Sequence, residues 1–273
     1  MFRAVTAVVL TVALFGLAGC GIHAGETGLS LNFGREADSP FEWSGQLAEG
    51  QWLEIKGING EVNAAPATGD TAEVTAARTG IRSDPNEVEL VVVEHADGVT
   101  ICALYPSGGS EPNECVPGDG GRNRTRRNDV KVAFDIQVPA GVRFAGRMVN
   151  GAVRAEDLTA DIRAQTVNGN VRLSTTRGAS AKTVNGSIRA SFQDSSWSGE
   201  AAFETVNGSI RLNVSPDINA DLNIRTANGR ITTNLPVDTT RATRRRVEGT
   251  LGDGGPPLRL KTVNGSVTLG PVE

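Results

Sequence analysis

The sequence predicts an all-β protein, namely a single-stranded β-solenoid of Asn-Gly repeats, each about 17–22 residues long, preceded by an N-terminal β-strand region. Two observations support this prediction. The tetrapeptide Thr-Val-Asn-Gly recurs along the second half of the chain, and apolar residues alternate with period two on either side of it. A recurrence near twenty residues is typical of repeat folds, in which each unit buries its apolar face only against its neighbours. No stretch beyond residue 20 has a helical period over ten residues.

The tetrapeptide marks the repeat. Full copies are present at 166–169, 183–186, 205–208 and 262–265, and looser copies at 57–60, 148–151 and 226–229. From Asn150 onward the asparagines are separated by 18, 17, 22, 21 and 36 residues. The last interval is about two repeats long. It contains the basic triple Arg244, Arg245 and Arg246 and a Gly/Pro-rich run at 252–257, which we interpret as interruptions of the repeat pattern.

The residues around each Asn-Gly alternate as a half-buried strand should. In the cycle at 205–208, one phase is apolar or Thr and is predicted to face the core: Phe203, Thr205, Ile210, Leu212 and Val214. The other phase is polar and is predicted to face outward: Glu204, Ser209, Arg211 and Asn213.

Two arrangements satisfy this pattern. In a meander of hairpins, Asn-Gly closes a two-residue turn, so Lys182 would pair with Arg189, and Arg147 with Arg154. Like charges directly opposite each other are unfavourable, by roughly a few tenths of a kcal/mol per pair. In a solenoid, Asn-Gly is a corner, and like residues of successive coils stack. Stacking explains why all four residues recur, whereas a hairpin turn does not require Thr-Val, so we favour the solenoid.

The solenoid predicts a role for each residue of the tetrapeptide. Asn and Gly tolerate positive φ at low cost, so the pair suits a tight turn or corner. Asparagines should stack on asparagines, and we expect Val167, Val184 and Val206 to form a buried ladder. A charge introduced at Val184 would then be severely destabilising.

Residues 1–20 have the layout of a secretory signal, with one charge at Arg3, an apolar run from residue 4 to 15, and small residues before Cys20. The run is too short to span a bilayer as a mature helix. The ending Leu-Ala-Gly-Cys resembles the lipobox of bacterial lipoproteins, which implies that Cys20 becomes the lipidated N-terminus. Because Gly21 rather than Asp follows, the resemblance implies no inner-membrane retention. The alternative is an ordinary signal peptide with an incidental cysteine.

Composition divides the remaining chain into three parts. Residues 21–42 contain Gly, Ser and charges with little periodicity and are predicted to be a tether. Residues 43–145 are predicted to form short strands, with a loop at 107–128 rich in Gly, Pro, Asn and Arg. A loop of this length is typically functional or disordered. Residues 146–273 are the predicted solenoid repeats.

Cys102 and Cys115 are the cysteines that remain once Cys20 is lipidated. In an exported protein, an oxidising compartment would join them as a disulfide. Closing a loop of about a dozen residues adds on the order of 3 kcal/mol in the chain-entropy model. The alternative is a metal site, for which His95 is the only candidate ligand nearby, so we expect no metal.

Charge is unevenly distributed along the chain. Residues 21–145 carry a net charge of −9, and residues 146–273 carry +4. Such asymmetry bears on partners rather than on fold.

Four arginines occupy the same outward position in consecutive cycles: Arg154, Arg172, Arg189 and Arg211. In coils stacked about 4.8 Å apart, they would form a column suited to an anionic glycan, a phospholipid headgroup or an acidic protein. The alternative is that the arginine stems only cover the sheet while their charged ends extend into water.

The repeat cycles resemble those of a bacterial family of unknown function known as putative adhesins, which has β-strand repeats and is related to toast-rack-like β-solenoid domains. The resemblance rests on the Thr-Val-Asn-Gly-Ser-Ile/Val cycles, the Glu-Gly-Thr-Leu-Gly run before the last of them, and Ile-Asn-Gly-Glu-Val at 58–62. It extends from about residue 43 to 269 and implies a β-solenoid exported to the cell envelope. It supplies no catalytic residues. The long loop and the cysteine pair depart from the family pattern.

Motifs of catalysis are missing from the sequence. It contains no Gly-x-Ser-x-Gly, phosphate loop or dinucleotide fingerprint, and its only histidines are His23 and His95. The alternative function, a polysaccharide-active β-helix enzyme, requires clustered carboxylates. Acidic residues of the repeats, such as Glu156, Asp161 and Asp194, instead fall at turns with no recurring relation to one another. We therefore expect a non-enzymatic protein without a cofactor.

These inferences together predict an exported, lipid-anchored envelope protein at the outer membrane, in the periplasm or on the cell surface. Its β-repeats would act as an adhesin-like binding module, or as a scaffold with no ligand of its own. The expected partners are the membrane, through the N-terminal lipid, and an anionic glycan, phospholipid or protein of the envelope. Nucleic acid is not an expected partner.

A Cys20→Ser substitution tests the lipid anchor. In a bacterium that processes lipoproteins, this variant should remain an unlipidated precursor, because serine offers no thiol for the lipid. Detergent-phase partitioning of the wild type and the variant measures the difference. Equal partitioning would contradict lipidation at residue 20.

Overall fold

The computed structural model describes residues 34–194, 197 and 201–272. Cys20, the predicted signal segment 1–20 and residues 21–33 of the predicted tether lie outside this range. The described residues confirm the all-β class, because a short 3₁₀ turn at Pro85–Glu87 is the only helical element among them.

Twenty-two strands make up the described chain. The first nine strands are β1 (Arg35–Glu36), β2 (Phe41–Gln46), β3 (Trp52–Lys56), β4 (Gly60–Pro66), β5 (Thr71–Gly80), β6 (Glu89–His95), β7 (Gly98–Leu104), β8 (Lys131–Val138) and β9 (Arg143–Arg147). The repeats follow as β10 (Val153–Leu158), β11 (Ile162–Gln165), β12 (Val171–Thr175), β13 (Ala179–Asn185), β14 (Ile188–Phe192), β15 (Ala201–Asn207), β16 (Ile210–Val214), β17 (Ala220–Asn228), β18 (Ile231–Thr233), β19 (Asp238–Thr243), β20 (Arg246–Leu251), β21 (Pro257–Asn264) and β22 (Val267–Pro271).

The strands form two eleven-stranded sheets. Sheet A has the order β1-β5-β8-β4-β10-β12-β14-β16-β22-β18, with β2 also paired to β5. Sheet B has the order β19-β20-β17-β21-β15-β13-β11-β9-β3-β7-β6. Along the repeats the chain alternates between the sheets, so each coil contributes one strand to each sheet. Strands of successive coils pair in parallel.

Parallel stacking distinguishes between the two arrangements that the sequence allowed. Lys182 lies on β13 of sheet B and Arg189 on β14 of sheet A, so the two are not paired across a hairpin. The register partners of Arg189 are Arg172 and Arg211 of the neighbouring coils. The Asn-Gly pair is therefore a corner at which the chain passes from one sheet to the other.

The inward side chains of both sheets pack into one hydrophobic core. Phe192 of sheet A and Phe203 of sheet B meet across it, with ring centroids 6.0 Å apart, and Trp197 stacks on Phe192 at 5.6 Å. Full burial of a large apolar side chain contributes about 1.5–3 kcal/mol. The period-two pattern of each strand thus sends alternate residues into a shared core.

Asparagine side chains form a continuous ladder along the corner. The Nδ2 of each asparagine donates to the Oδ1 of its neighbour over 2.7–2.9 Å, in the order Asn59, Asn150, Asn168, Asn185, Asn207, Asn264 and Asn228. At the first end of the ladder, the hydroxyl of buried Tyr105 accepts from the backbone N–H of Asn59 at 3.2 Å. The ladder explains why Asn recurs in every cycle.

Close backbone approach, rather than turn geometry, is what requires glycine at these corners. Of the described corner glycines, Gly60, Gly151 and Gly265 have positive φ. At Gly169 and Gly186 a Cβ atom would lie 1.9 Å from the carbonyl oxygen of the preceding corner glycine. The expectation that Asn-Gly serves a tight turn with positive φ is therefore wrong for most cycles.

Threonine recurs because its buried hydroxyl binds the corner of the adjacent coil. Thr183 Oγ1 donates to the carbonyl oxygen of Gly169 at 3.0 Å, and Thr205 Oγ1 donates to that of Gly186 at 2.8 Å. Both threonines are about 95% buried, with 5% and 4% exposure. A buried carbonyl without a partner would cost roughly 1–3 kcal/mol, so each threonine stabilises the stacking of its coil.

The expected buried valine ladder is wrong. Val167, Val184 and Val206 stack as expected, but each is 40% exposed, because Thr takes the inward position directly before them. The three valines line a shallow groove on the outside of sheet B, beside Lys182 and Lys261. An aspartate at residue 184 should therefore be much less harmful than a charge in the core.

The long interval between Asn228 and Asn264 contains a hairpin and leads into a coil that stacks out of chain order. The C-terminal strand β21 lies between β15 and β17 in sheet B, and β22 lies between β16 and β18 in sheet A. In the same interval β19 and β20 form an antiparallel hairpin that extends sheet B beyond β17. The interval holds this hairpin rather than two further coils of the stack.

Both sheets continue across the predicted domain boundary at residues 145 and 146. β9 crosses it and pairs in parallel with β3, while β10 pairs in parallel with β4. Sheet A begins at β1, inside the segment predicted to be a tether. Residues 34–273 form one compact unit.

A Gly186→Ala substitution tests the corner stacking. Because the added methyl group would overlap a backbone oxygen that cannot rotate away, we expect a loss of at least about 3 kcal/mol. This loss corresponds to a fall in melting temperature of roughly 6–12 °C for a chain of this size.

Gly69→Ala provides the matched control, because no atom lies within 4 Å of a Cβ placed there. Thermal unfolding followed by circular dichroism compares the two variants. Equal melting temperatures would refute the close approach.

Candidate functional site

The four arginines singled out from the sequence lie on the outside of sheet A. They are on adjacent strands β10, β12, β14 and β16, and they are register partners in the order Arg154, Arg172, Arg189 and Arg211. All four side chains are exposed. The residues before and after each of them are buried, so strand alternation fixes the direction of the arginines. We refer to these four residues as the arginine column.

Carboxylates neutralise only one end of the arginine column. Arg154 Nη1 lies 2.8 Å from Glu61 Oε2, and Arg172 Nε lies 3.4 Å from Glu156 Oε1. In the part of the chain that the structure describes, Arg189 and Arg211 form no ion pair. The free positive charge therefore lies at the Arg189–Arg211 end.

A shallow groove of about 320 Å³ follows the free end of the column. It is lined by Arg172, Arg189 and Arg211 together with Glu156 and Asn213. Guanidinium groups carry up to five N–H donors each and pair well with carboxylates and phosphates. The groove therefore offers one guanidinium group per coil to an anion that lies along the stack.

The arginine column ends after four coils. Beyond Arg154 the register partner is Asn63, and beyond Arg211 it is Thr268 of the inserted C-terminal coil. The column is therefore a bounded patch of sheet A.

The basic triple of the sequence is not part of the arginine column. Arg244 and Arg245 lie in the turn between β19 and β20, and Arg246 begins β20 in sheet B. Arg246 Nη2 lies 2.5 Å from Glu248 Oε1, and Arg225 Nη2 lies 3.1 Å from the same oxygen. The hydrogen bond from Arg246 is the main reason why the pKa of Glu248 lies below its usual value.

A second charged cluster lies on the outside of sheet B, under the long loop. The predicted disulfide between Cys102 and Cys115 is present, with a Cα–Cα distance of 5.8 Å, and it ties the loop to β7. Asn113 Nδ2 also donates to the carbonyl of Tyr105 at 2.7 Å, and Asn123 Nδ2 donates to that of Ala103 at 2.6 Å. The loop is thus an ordered cover over the first strands of the stack.

Lys56 holds the loop from below. Its Nζ donates to the carbonyl oxygens of Val116 at 2.6 Å, Gly118 at 2.5 Å and Gly120 at 3.3 Å. Burial beneath the loop lowers the pKa of Lys56. The Lys56 ammonium therefore donates to three loop carbonyls in place of water.

Glu54 is the buried carboxylate of this cluster, with 5% exposure. Its Oε2 accepts from Thr100 Oγ1 at 3.0 Å and from the backbone N–H of Gly118 at 2.8 Å. Its Oε1 lies 2.8 Å from Arg147 Nε, an ion pair in which neither atom forms a hydrogen bond. A buried carboxylate requires such partners to remain charged.

Arg147 connects the buried cluster to the surface of the loop, since its Nη1 also pairs with the exposed carboxylate of Asp119. The hydrogen bond and charge of Arg147 lower the pKa of Asp119, with smaller contributions from Lys56 and Arg163. Lys56 and Arg147 are neighbours at the beginning of a row of outward side chains across sheet B. The loop therefore places a carboxylate beside the positive charges of this row.

Sequence reasoning missed this cluster. The sequence predicts only that residues 43–145 form short strands, whereas in the structure the alternation of β3 places Trp52, Glu54 and Lys56 on one outward face. An aromatic ring and two opposite charges on one face could have indicated a site. The covering loop could not be placed, because its position depends on the disulfide and on contacts about sixty residues apart in the chain.

Two absences complete the description of the surface. The described residues contain no group of His, Cys, Asp and Glu side chains suited to a metal ion. Within the same residues, no helix has the length and hydropathy needed to cross a membrane.

Comparison with known families identifies the repeat region. Residues 147–270 match the family model described as Toastrack DUF4097. The match covers a little less than half of the chain and falls on its C-terminal repeats, where the resemblance inferred from the Thr-Val-Asn-Gly cycles is confirmed.

The solved structures that match the chain are distant in sequence and have TM-scores below 0.5. A putative cell adhesion protein from Clostridium sporogenes ATCC 15579 is 10% identical, with 86% of this chain and 100% of that chain covered and a TM-score of 0.44. A putative adhesin from Bacteroides fragilis NCTC 9343 is 12% identical, with 86% and 98% covered and a TM-score of 0.33. A putative lipid binding protein from Parabacteroides distasonis ATCC 8503 is 12% identical, with 86% and 98% covered and a TM-score of 0.20. No curated protein matches the chain.

Replacing Cys102 and Cys115 together by serine tests the role of the disulfide. Loss of a cross-link over 13 residues should cost on the order of 3 kcal/mol in the chain-entropy model. The loop should also open more often, so trypsin can reach its backbone and cleave after the arginines at the loop surface, which are Arg122, Arg124, Arg126 and Arg127.

Melting temperature and the rate of tryptic cleavage within the loop are the two measurements. Wild type treated with a thiol reductant should behave like the double variant. Unchanged stability together with unchanged cleavage would show that the disulfide does not hold the loop.

Proposed function

We propose that this protein is a non-enzymatic β-solenoid binding module that is exported, anchored to the cell envelope through a lipid on Cys20, and specific for anionic polymers or lipids of the envelope. The arginine column is the proposed binding surface. The observation that carries the proposal is the in-register alignment of Arg154, Arg172, Arg189 and Arg211 on one exposed sheet.

The electrostatics of the column favour an anionic ligand. Strands of neighbouring coils lie about 4.8 Å apart, so adjacent guanidiniums repel each other when no anion lies between them. Arg154 and Arg172 each pair with a carboxylate, whereas no carboxylate of the described residues lies within ion-pair distance of Arg189 or Arg211. A bound polyanion would relieve this repulsion without any change in the fold.

The arrangement suits an extended polymer better than a small anion. One exposed ion pair contributes only about 0.2–1 kcal/mol, so a single phosphate or carboxylate would bind weakly at any one arginine. A chain of anionic groups running along the stack can contact several arginines at once, and the small contributions then add up. The same argument holds for the closely spaced headgroups of an anionic lipid surface.

Two independent features of the chain support export. Residues 1–20 have the layout of a lipoprotein signal, and the Cys102–Cys115 disulfide is typical of an oxidising compartment outside the cytosol. An envelope location would bring the arginine column close to acidic glycans and phospholipid headgroups.

Replacing the four arginines of the column by glutamine tests the binding surface. A chain starting at residue 21 keeps the whole described unit and removes the lipid as a second source of binding. With about 0.5 kcal/mol lost per arginine, affinity for a polyanion should fall roughly 30-fold. The fold should be intact, because exposed substitutions usually change stability by less than about 0.5 kcal/mol.

Co-sedimentation with anionic vesicles and, separately, with an acidic glycan measures binding over a range of salt concentrations. Wild-type binding should weaken with salt, because exposed charges are screened over about 8–10 Å at physiological ionic strength. Glutamine at Arg244, Arg245 and Arg246 is the control for general basic character and should leave binding unchanged. If the four-glutamine variant binds like wild type, the column is only a solvated face and the scaffold alternative is favoured.

A further inference from the structure

A cavity of about 280 Å³ lies beside the buried charged cluster on the outside of sheet B. Its wall includes Trp52 and Arg163, its base includes Glu54 and Arg147, and Pro117 and Gly118 of the disulfide-tied loop close one side. The cavity is on the opposite sheet from the arginine column, so what it binds is independent of the function proposed above.

The base of the cavity is fixed by a chain of hydrogen bonds. Thr100 Oγ1 donates its hydrogen to Glu54 Oε2 at 3.0 Å, so it can only accept from His95 Nε2, which lies 3.2 Å away. This order places a hydrogen on Nε2 of His95. In neutral His95, Nδ1 then remains an acceptor, and the structure shows no partner for it among the described residues.

The wall of the cavity combines an aromatic ring with a free guanidinium. Arg163 lies over the Trp52 ring, 4.4 Å from its centroid, and Arg143 lies 4.6 Å from the same centroid. Arg163 is close enough to the exposed carboxylate of Asp119 for their charges to interact, but no described carboxylate lies within ion-pair distance of it, so its N–H donors are available. Stacking on an indole ring orients a guanidinium without using its donors.

Acceptors of the opposite charge lie in the same cavity. Asp97 lines it and is exposed, and no side chain of the described residues pairs with its carboxylate. Together with His95 Nδ1, it offers acceptors, while Arg163 and the remaining N–H groups of Arg147 offer donors.

We propose that this cavity binds one sugar ring that carries a carboxylate, that is, a hexuronic acid residue. The carboxylate of the sugar would pair with Arg163, and its hydroxyls would donate to Asp97 and His95. Hydroxyl groups both donate and accept, so they can satisfy neighbours of either kind. A volume near 280 Å³ lies just below the range of about 300–1,000 Å³ for drug-sized ligands, which favours a single ring.

Simpler ligands fit the charges less well. A small inorganic anion would pair with Arg163 but would be repelled by Asp97 and would leave the acceptor groups unused. A cation would pair with Asp97 and be repelled by Arg163. A neutral sugar would leave the guanidinium without the carboxylate that its planar donor pair suits best.

Titration calorimetry of the chain from residue 21 with glucuronate tests the proposal, with glucose and acetate as partial ligands. Glucose lacks the carboxylate, and acetate lacks the hydroxyls. We expect saturable binding of glucuronate, and at least about tenfold weaker binding of each partial ligand, equivalent to 1.4 kcal/mol.

Substitutions at Arg163 identify the site. Arg163→Gln should weaken glucuronate binding about tenfold, and Arg163→Lys should weaken it less, because the charge is kept while the planar donor pair is lost. Arg241→Gln, at an exposed arginine of β19 on the far edge of sheet B, is the matched control and should bind like wild type. Melting temperatures of all three variants should equal that of wild type, because both arginines are exposed.

Several results would overturn the proposal. One is the absence of saturable glucuronate binding to wild type, and another is binding of acetate or glucose as tight as that of glucuronate. Unchanged binding of glucuronate in Arg163→Gln would equally overturn the proposal. Loss of binding in Arg241→Gln would show that binding depends on general basic character and not on the cavity, and would also overturn the proposal.

Discussion

Close stacking of one glycine corner on the next is the constraint on which the rest of the structure depends. At Gly169 and Gly186 the backbones approach so closely that no Cβ atom fits. This approach lets a buried threonine hydroxyl reach the carbonyl of the adjacent coil, as Thr183 does, and lets the asparagine amides bond in an unbroken ladder. The corner thus explains the recurrence of Thr, Asn and Gly. The recurring Val is exposed, and no contact among the described residues explains why it recurs.

The corner register also determines the chemistry of both outer faces. Since every coil enters its next strand at the same point, outward residues at one offset fall into line across the sheet. On sheet A this places four arginines next to one another, where their positive charges repel each other. On sheet B the comparable row starts with Lys56 and Arg147, and there the disulfide-tied loop supplies carbonyls and a carboxylate that neutralise it. The two faces therefore differ in how their positive charge is satisfied.

Insertion of the C-terminal coil links the end of the chain to the stability of the coil before it. Strands β17 and β18 do not pair with β15 and β16; they reach the rest of the stack through β21 and β22. The inserted coil has the same Thr-Val-Asn-Gly corner, so the asparagine ladder passes through Asn264 without a break. A repeat that matches its neighbours so closely can occupy a place out of chain order, because the stacking contacts depend on the corner residues and not on sequence proximity.

The sequence by itself determined the all-β class and the alternation of inward and outward residues along most strands. It favoured a corner at each Asn-Gly, and with it the alignment of the arginine column, over a meander of hairpins, and the parallel pairing of the strands decided between the two. These features follow from local alternation and from a repeated motif, both of which are visible along the chain. It also supplied the cysteine pair, since Cys102 and Cys115 are the two cysteines beyond the predicted signal segment. Tertiary structure alone decided the order of the last coils, the exposure of Val184, and the cluster of Glu54, Lys56 and Arg147 beneath the loop. These features depend on which distant segments of the chain pack against each other. Identical corner motifs and isolated charges in a sequence do not indicate which segments those are.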